Sequence, residues 1–406
     1  MKKRVAVFFG GRSPEHDVSI VSSLQAMKAL DTSKFDPFPV YITTDGKWLV
    51  GDILKERSSY FLDKIALKKT TQVTIDISAS PIGKLIPVSG GMFGNKKPIE
   101  FDIALLGFHG LYGEDGNVQG LMEFAGVAYT GLRIKGSTIL MDKITTKQVL
   151  QSADIPMLPY AVLKRPDQGY IIPEADIKKA MGDIKFPCIL KPAHLGSSIG
   201  IAKVTSIEEV QACLPPIFEM DDTAMLEPFV SNLVEYNVAV ARMNGEIKIS
   251  AIERPKLSTE DELLDFAQKY KSAGDGKNGD KMGGTKSEIP SEGMLSLTRE
   301  INPVLDKKAQ DNIQKWASTM FEVIDGTGAP RIDFIGDSET GELWLNEVNP
   351  IPGSFGYFLW EASKDNALLF SELMTHLLEE AMEQRKKRVI SADPVPKDAR
   401  LFRRPL

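Results

Sequence analysis

The first 110 residues repeat one arrangement, in which an apolar run ends in a polar loop that contains glycine. Val5–Phe9 is followed by GGRSPEHD and then by the amphipathic stretch VSIVSSLQAMKAL. FDPFPVYIT and Phe101–Gly110 (FDIALLGFHG) supply two further strands. Strands that alternate with helices are typical of a parallel, doubly wound α/β sheet, in which ligands bind beyond the carboxyl ends of the strands. The sequence therefore predicts such a domain, with binding residues in these loops.

From about Gly131 the pattern changes to antiparallel hairpins. FPCILKPAHLGSSIGIAKV is a strand, a Gly/Ser loop and a second strand, and VEYNVAVARMNGEIKISAIE joins two alternating runs through Asn-Gly, the strongest short-range hairpin signal. RIDFIGDSETGELWLNEVN is a third hairpin around GDSETG. Between the last two lies KYKSAGDGKNGDKMGGTKSEIP, whose Gly- and Lys-rich composition is typical of a lid or a disordered insertion.

The third hairpin carries four polar residues at alternating positions. Arg331 and Asp333 share a face with Glu347 and Asn349, because strand side chains alternate between the two faces of a sheet. A turn centred near Glu339 predicts that Arg331 lies opposite Glu347, with Asp333 on the diagonal. Two carboxylates and an amide suit Mg²⁺ shared with substrate phosphates, and the arginine suits a phosphoryl group or an oxyanion. The alternative is a solvated face with two cross-strand ion pairs.

The loop KPAHLGSSIG places Lys191 at a strand end, ahead of Gly196 and Gly200. Small residues let backbone N–H groups approach an anion, and the lysine adds a positive charge. The residue order fits neither the P-loop nor the dinucleotide-binding pattern, and a Gly/Ser turn without a ligand is the alternative. Lys143, in MDK, is by itself a common helix-surface lysine.

Composition bounds the class of protein. The chain of 406 residues is long enough for two or three domains, and its net charge of −6 argues against a nucleic-acid coat protein. Two cysteines without a motif fit a reducing cytoplasm. The N-terminal apolar run is cut at Gly10, too early for a signal peptide, and no stretch approaches the about 20 apolar residues of a membrane span. We therefore expect a cytoplasmic protein that binds neither membrane nor nucleic acid.

Together these motifs resemble those of the D-alanine–D-alanine ligases of the ATP-grasp superfamily. The resemblance runs from VAVFFGGRSPEHDVSIVSS to WLNEVNPIPGS; FHGLYGEDGNVQGLMEFAGVAYTG and MDKITTKQVL carry it most specifically. It implies an ATP-grasp fold preceded by an N-terminal doubly wound, Rossmann-like domain. The implied domains are residues 1–131, 132–226 and 227–406, the last with a mobile lid at about 265–289 and a C-terminal tail.

The resemblance also implies roles for residues that bind nucleotide and metal. The nucleotide phosphates would contact Lys143, Lys191 and Ser198. The adenine would lie against Glu227, Phe229 and Val230, and the ribose against Glu235. The implied cofactors are ATP and Mg²⁺, with Mn²⁺ as a possible replacement, and the implied metal ligands are Asp333, Glu347 and Asn349.

Further implied roles concern the amino-acid substrates. Glu15 and His109 would receive the first D-alanine, and Ser197 and Tyr270 would join Glu15 in a hydrogen-bonded triad. Lys269 would meet the γ-phosphate when the lid closes. The oxyanion hole would consist of Arg331 and the N–H of Gly353.

The implied reaction makes D-alanyl-D-alanine for peptidoglycan precursors. ATP phosphorylates the first D-alanine to an acyl phosphate, which the amine of the second attacks. Positioning and charge stabilisation carry such a reaction, and a lid that excludes water protects the acyl phosphate. The resemblance implies a homodimer, and the Lys-Tyr pair at 269–270 favours an amine as second substrate.

The chain departs from these ligases after the metal residues. They commonly read P-G-M-T-x-x-S, and the serine receives the carboxylate of the second D-alanine; here the segment is PGSFGYFLWE, with Phe358 at the serine position. Ser354 and Tyr357 are out of register with that serine. A ligase of the same fold that joins D-alanine or another amino acid to a different second substrate is therefore the main alternative.

Two other classes are weaker. A nucleotide-binding regulatory protein without catalysis is disfavoured, because every phosphate and metal position holds a competent residue type. A dinucleotide-dependent enzyme is disfavoured, because FFGGRSPE lacks the G-x-G-x-x-G spacing.

Overall fold

The computed structural model describes residues 2–60, 69–88, 97–196, 198–255 and 299–388, and these form three β-sheets with helices packed against them. The expected lid, the C-terminal tail and the residues Ser197, Lys269 and Tyr270 lie outside the described residues. Among the described residues, no helix combines the length and the apolar composition needed to cross a bilayer.

The first sheet has eight strands in the order β6-β5-β4-β3-β2-β1-β7-β8. Their bounds are β1 Lys3–Gly10, β2 Phe35–Ile42, β3 Trp48–Val50, β4 Thr71–Ile75, β5 Gly83–Pro87, β6 Ile99–Phe101, β7 Ile103–Leu106 and β8 Ala128–Tyr129. The helices are α1 (His16–Ala29) and α2 (Asn117–Phe124), with short 3₁₀ helices at Asp52–Lys55 and Arg57–Tyr60.

The predicted parallel pairing holds for four of the eight strands of this sheet and is wrong for the other four. Strands β2, β1, β7 and β8 are parallel, whereas β3 to β6 form an antiparallel series on the β2 edge. The reason is local, because the turn at residues 43–47 is too short for the crossover that a parallel neighbour requires. The loops after β1 and β7 still lie at carboxyl ends of neighbouring parallel strands, as predicted.

The second sheet is antiparallel and has the order β11-β10-β12-β9. Its strands are β9 Ala161–Lys164, β10 Cys188–Pro192, β11 Ala202–Val204 and β12 Thr223–Pro228. The preceding helices are α3 (Ile134–Met141) and α4 (Lys143–Leu150), the latter extended by a 3₁₀ turn at Gln151–Ala153; α5 (Glu174–Met181) and α6 (Ile207–Met220) follow. The predicted hairpin around the Gly/Ser loop (residues 193–200) is confirmed as the β10–β11 pair.

The third sheet is also antiparallel, in the order β15-β14-β13-β16-β17. Its strands are β13 Leu233–Met243, β14 Glu246–Pro255, β15 Arg299–Ile301, β16 Arg331–Asp337 and β17 Leu343–Asn349. The helices are α7 (Lys307–Val323), a 3₁₀ turn at Gly353–Gly356, α8 (Tyr357–Glu361) and α9 (Phe370–Lys387). Asn244 and Gly245 have φ of 53° and 84°, which fits the predicted Asn-Gly hairpin turn.

The register of the third hairpin differs from the predicted one by two positions. Gly336 pairs with Leu343, one position further than a turn centred at Glu339 predicts, and a β-bulge adds the second position. Arg331 pairs with Asn349 and Asp333 with Glu347, whereas Phe334 pairs with Leu345. The extra residue on β17 is therefore Asn346. It moves the pairing by one position for every residue that lies beyond it from the turn. The four polar residues still share one face, but Glu347 lies opposite Asp333 instead of Arg331.

Three clusters of buried residues fill the fold. One belongs to the second sheet, and another joins the third sheet to α7. The cluster of the first sheet includes Phe8 and Leu105 together with Trp360 and Leu377 from the C-terminal helices. Helix α9 accordingly packs on β7 and β8, so the last described helix completes the core of the first sheet.

Candidate active site

The start of α4 is joined to the Gly/Ser loop. The Asp142 side chain caps the helix by accepting hydrogen bonds from the backbone N–H groups of Ile144 and Thr145, at 2.8 and 3.0 Å. Lys143, the first residue of the helix, donates its backbone N–H to Ala193 O (3.1 Å) and its Nζ to Leu195 O (2.5 Å). The cap therefore fixes the place where this buried lysine meets the loop.

A buried carboxylate holds the second lysine. Glu227 lies on β12 between Lys147 Nζ and Lys191 Nζ, each 2.6 Å from one of its oxygens. Burial acts to raise the pKa of Glu227, but the two ammonium groups outweigh it and hold that pKa below its ordinary value. Lys191 Nζ also donates to Asn346 Oδ1 (3.0 Å), so the β-bulge reaches the lysine of the Gly/Ser loop.

The polar face of the third hairpin lines the same space. Arg331 donates to both oxygens of Asp333, each at 2.7 Å, and Asn349 Nδ2 donates to Asp333 Oδ2 at 2.8 Å. Glu347 lies 3.3 Å from Lys143 Nζ. The Arg331, Asp333 and Glu347 side chains are only 23, 14 and 29% exposed, which excludes the fully solvated alternative.

The pKa of Glu347, on the third sheet, depends on two lysines that lie outside that sheet. Burial acts to raise its pKa, but Lys143 and Lys191 lower it more, so the pKa lies below its ordinary value. Glu235 differs, because burial and the nearby charges of Asp333 and Glu347 raise its pKa to about 7. The site is thus a cleft in which two lysines face a row of acids.

The loops of the first sheet approach this cleft. A Cβ added at Gly110 would lie 2.5 Å from the Glu15 carboxylate, and one at Gly196 would lie 3.1 Å from it. Glu15 therefore lies between the loop after β7 and the Gly/Ser loop, and its carboxylate would have to shift if Gly110 or Gly196 carried a side chain. His109 is buried, and burial lowers its pKa to about 4, so that its ring is neutral at physiological pH.

Hydrogen bonds join these loops to the turn after β17. Ser22 Oγ lies 3.0 Å from His109 Nε2 and accepts the Ser354 N–H at 2.9 Å. The Glu114 carboxylate accepts the N–H groups of Gly110 and Ile351, each at 2.6 Å, and burial raises its pKa to about 8.

The turn itself has an unusual backbone. Ser354 and Phe355, directly after Gly353, have φ of 51° and 57°, in the left-handed region that side chains rarely adopt. The hydrogen bond from Ser354 to Ser22 stabilises this conformation next to His109.

The remaining predicted residues lie around the cleft. Phe229, after β12, donates its N–H to Pro187 O (3.0 Å) and has Lys203 Nζ 3.7 Å from its ring centroid. Val230 is half-buried beside it, and Ser198, with φ of 55°, is exposed at the tip of the Gly/Ser loop. The structure thus brings Lys143, Lys191 and Glu227 together with the polar face of the third hairpin, whereas the roles predicted for Phe229, Val230 and Ser198 stay predictions.

Three further residues of the cleft escaped the sequence analysis. Lys147 follows Lys143 by one helical turn in MDKITTK, so their spacing was a usable signal. Glu114 stands within GLYGEDG, but its partner Ile351 is 237 residues away. The role of Asn346 could not be predicted, because its contact with Lys191 depends on a β-bulge that the sequence does not indicate.

Comparison with known proteins identifies the family. Profiles described as D-ala D-ala ligase N-terminus and C-terminus match residues 4–132 and 149–379. The D-alanine--D-alanine ligase of Thermosipho africanus is 32% identical, over 96% of each chain. That of Deinococcus radiodurans is 31% identical, over 95% of this chain and 100% of the relative. The chain belongs to the D-ala D-ala ligase family.

Solved structures of ligases have the same fold as this chain. The D-alanine-D-alanine ligase from Coxiella burnetii has a TM-score of 0.73 at 23% identity and covers 95% of this chain and 96% of its own. The VanG D-Ala:D-Ser ligase from Enterococcus faecalis has a TM-score of 0.71 at 25% identity and covers 94 and 100%. The predicted fold, an ATP-grasp fold preceded by an N-terminal α/β domain, is confirmed.

Proposed function

We propose that this chain joins two D-alanines to D-alanyl-D-alanine for peptidoglycan precursors, while ATP is converted to ADP and phosphate. The contact between Lys143 and Glu347 carries the proposal, because the lysine that begins α4 and meets the Gly/Ser loop also meets the acid and amide face of the third sheet. The family and the names of its members support the same reaction.

The nucleotide would lie between the second and third sheets. Lys143, Lys191 and Ser198 would face its phosphates, at the loop whose small residues leave backbone N–H groups accessible. Glu227 engages both of its oxygens with lysines, so it orients Lys191 while its backbone borders the adenine. The adenosine would lie against the segment formed by Glu227, Phe229, Val230 and Glu235.

The acid and amide face fits a divalent cation. Asp333, Glu347 and Asn349 offer hard oxygen ligands from adjacent strands, the donor set that Mg²⁺ takes together with substrate phosphates; Mn²⁺ accepts the same donors. When bound, the ion would neutralise charge on the phosphates. Arg331, held in a fork against Asp333, would lie beside it.

The chain's residues would then position two reactions. A carboxylate oxygen of the first D-alanine bonds to the γ-phosphorus as ADP leaves; Glu15 would pair with the ammonium group, and neutral His109 would hydrogen-bond the substrate. The amine nitrogen of the second D-alanine then attacks the acyl carbon and loses a proton, and the carbon–oxygen bond to phosphate breaks. Arg331 and the N–H of Gly353 would stabilise the oxyanion of the tetrahedral intermediate.

The first experiment measures ADP release and dipeptide formation with paired D- and L-amino acids. We expect D-alanine to serve as donor, and D-alanine to be the preferred acceptor over D-serine and D-lactate. If no pair that contains D-alanine stimulates ADP release, the proposed function is wrong. Phe358 makes the acceptor panel necessary, because this chain lacks the serine hydroxyl of the family motif.

The second experiment tests the cleft. The Asp333→Ala/Glu347→Ala double variant should lose Mg·ATP-dependent dipeptide formation and keep its circular dichroism spectrum. Glu339→Gln, an exposed acid in the turn of the same hairpin, is the matched control and should retain wild-type turnover. Unchanged turnover of the double variant would overturn the metal assignment.

Other expectations stay predictions. They comprise the domain limits of residues 1–131, 132–226 and 227–406, the cytoplasmic location, the homodimer, and the roles of Ser197, Lys269 and Tyr270. Sedimentation equilibrium at several protein concentrations tests the homodimer directly.

A further inference from the structure

The polar face continues across the third sheet, away from the metal residues. Asp333 pairs with Asn237 on β13, and Asn237 pairs with Glu253 on β14. Asn237 Nδ2 donates to Glu253 Oε1 at 2.9 Å, and Arg299 Nη1 donates to Glu253 Oε2 at 3.0 Å. A row that begins with Glu347 therefore ends with a guanidinium group.

Among the described residues, Arg299 uses only part of its hydrogen-bonding capacity. Both oxygens of Glu253 are engaged, yet only one of the arginine's five N–H groups is used in this pair. Its Nε is buried and has no hydrogen-bond partner among the residues that the structure describes. The side chain is 25% exposed, and because Nε is buried, the N–H groups left for a ligand are those on Nη1 and Nη2 that do not meet Glu253.

Phe358 lies against this guanidinium group. Arg299 Cζ lies 4.2 Å from the centroid of the Phe358 ring, within the range of a cation–π contact. Phe358 belongs to α8, which directly follows the Gly353–Gly356 turn. Arg299 is thus joined to the turn beside Ser354 as well as to the row that contains Asp333.

The position of Arg299 relative to the cleft decides which anion it would meet. Neighbouring strands are about 4.8 Å apart, so Glu253 on β14 lies about 10 Å from Asp333 on β16, on the side away from Glu347 and Lys143. The phosphates belong to the lysine side. In the proposed reaction the donor's carboxylate receives the γ-phosphoryl group and so lies with the phosphates. The anion left for the Arg299 side is therefore the carboxylate of the amino acid that attacks the acyl carbon.

We propose that Arg299, paired with Glu253 and stacked on Phe358, binds the carboxylate of the acceptor amino acid and so selects it. The inference rests on the proposed ligase function. A guanidinium group binds a carboxylate through two parallel hydrogen bonds. Phe358 has no hydroxyl that could bind the carboxylate, but its ring contacts the guanidinium group of Arg299.

The test compares D-alanine with D-alaninamide as acceptors at saturating D-alanine donor and ATP. The amide has the attacking amine but no carboxylate, so it can act as acceptor only. We expect Arg299→Met to lower kcat/KM for acceptor D-alanine by about 10- to 100-fold, the size of a charged hydrogen-bond pair. Use of D-alaninamide should stay within about threefold of wild type, with unchanged KM for ATP.

Two companion variants separate binding from folding. Arg299→Met leaves Glu253 buried without its cation, so Arg299→Met/Glu253→Gln removes both charges and should show the same loss of discrimination. Arg299→Lys keeps the charge but not the fork, and its acceptor KM should lie between those of wild type and Arg299→Met.

Some outcomes would overturn the assignment. An unchanged acceptor KM in both methionine variants would do so, as would an equal fall in the use of D-alanine and D-alaninamide. A wild-type enzyme that forms no dipeptide from D-alanine would instead reject the proposed function itself, before any Arg299 variant is compared.

Discussion

Lys147→Met is expected to cost more stability than its place on a helix suggests. Its ammonium group is 2% exposed, 2.6 Å from Glu227 Oε1, and donates to Leu158 O at 3.0 Å. Removing one partner of a buried ion pair costs about 3–5 kcal/mol, and Lys191 keeps Glu227 paired, so the lower end applies. The orphaned Leu158 carbonyl adds about 1 kcal/mol. We therefore expect a loss of about 4 kcal/mol.

Urea unfolding of a double-mutant cycle measures this interaction. Lys147→Met, Glu227→Gln and the double variant are compared with wild type, with unchanged m-values as the condition for comparison. The losses of unfolding free energy in the two single variants should sum to about 2 kcal/mol more than the loss in the double variant. The reason is that the double variant leaves no unmatched charge between these two residues. Lys179→Met, an exposed lysine on α5, is the control and should change stability by less than about 0.5 kcal/mol. Single-variant losses that add within about 0.5 kcal/mol would refute the reasoning.

Three further predictions concern the loops. Above the Glu114 pKa of about 8, where the native carboxylate is ionised, Glu114→Gln offers one acceptor oxygen in place of two to the backbone N–H groups. It should then cost about 2 kcal/mol of unfolding free energy in urea; equal stability would contradict this. Hydrogen bonds to Asp142 and Asp221 raise the pKa of His194 to about 10, above the ordinary 6.5, so the folded state holds its proton more tightly. The stability advantage over His194→Asn should be about 1 kcal/mol below pH 6.5, reduced by partial exposure, and should vanish as the pH rises through about 10; a gap that grows with pH would refute it. Ser22→Ala should raise the KM for the donor D-alanine several-fold, because His109 and Ser354 lose their shared hydroxyl. The KM is measured with D-alaninamide as the saturating acceptor, and an unchanged KM would exclude that role.

Local sequence signals predicted the hairpins well. Asn244-Gly245 fixes its own turn through two residues of positive φ, and alternation put Arg331 and Asp333 on one face of β16. Such signals depend on neighbours along the chain, so a single sequence carries them.

Longer-range features escaped prediction for a physical reason. The bulge at Asn346 lies away from the turn, and the partner of its side chain, Lys191, belongs to another sheet. Glu114 meets Ile351 from the far end of the chain, and Arg299 meets Phe358 across another strand and helix. Residue types at these positions are visible in the sequence, but their partners are set by the tertiary fold.

The packing of α9 on the first sheet, with Trp360 of α8 in the same buried cluster, has a consequence for synthesis on the ribosome. Trp360, Leu373 and Leu377 belong to the same buried cluster as Phe8 and Leu105. While the ribosome synthesises the second and third sheets, the apolar surface of the first sheet that the C-terminal helices later bury remains exposed to solvent. A chain arrested before residue 357 would expose that surface, and quality-control proteases or holding chaperones would meet it there.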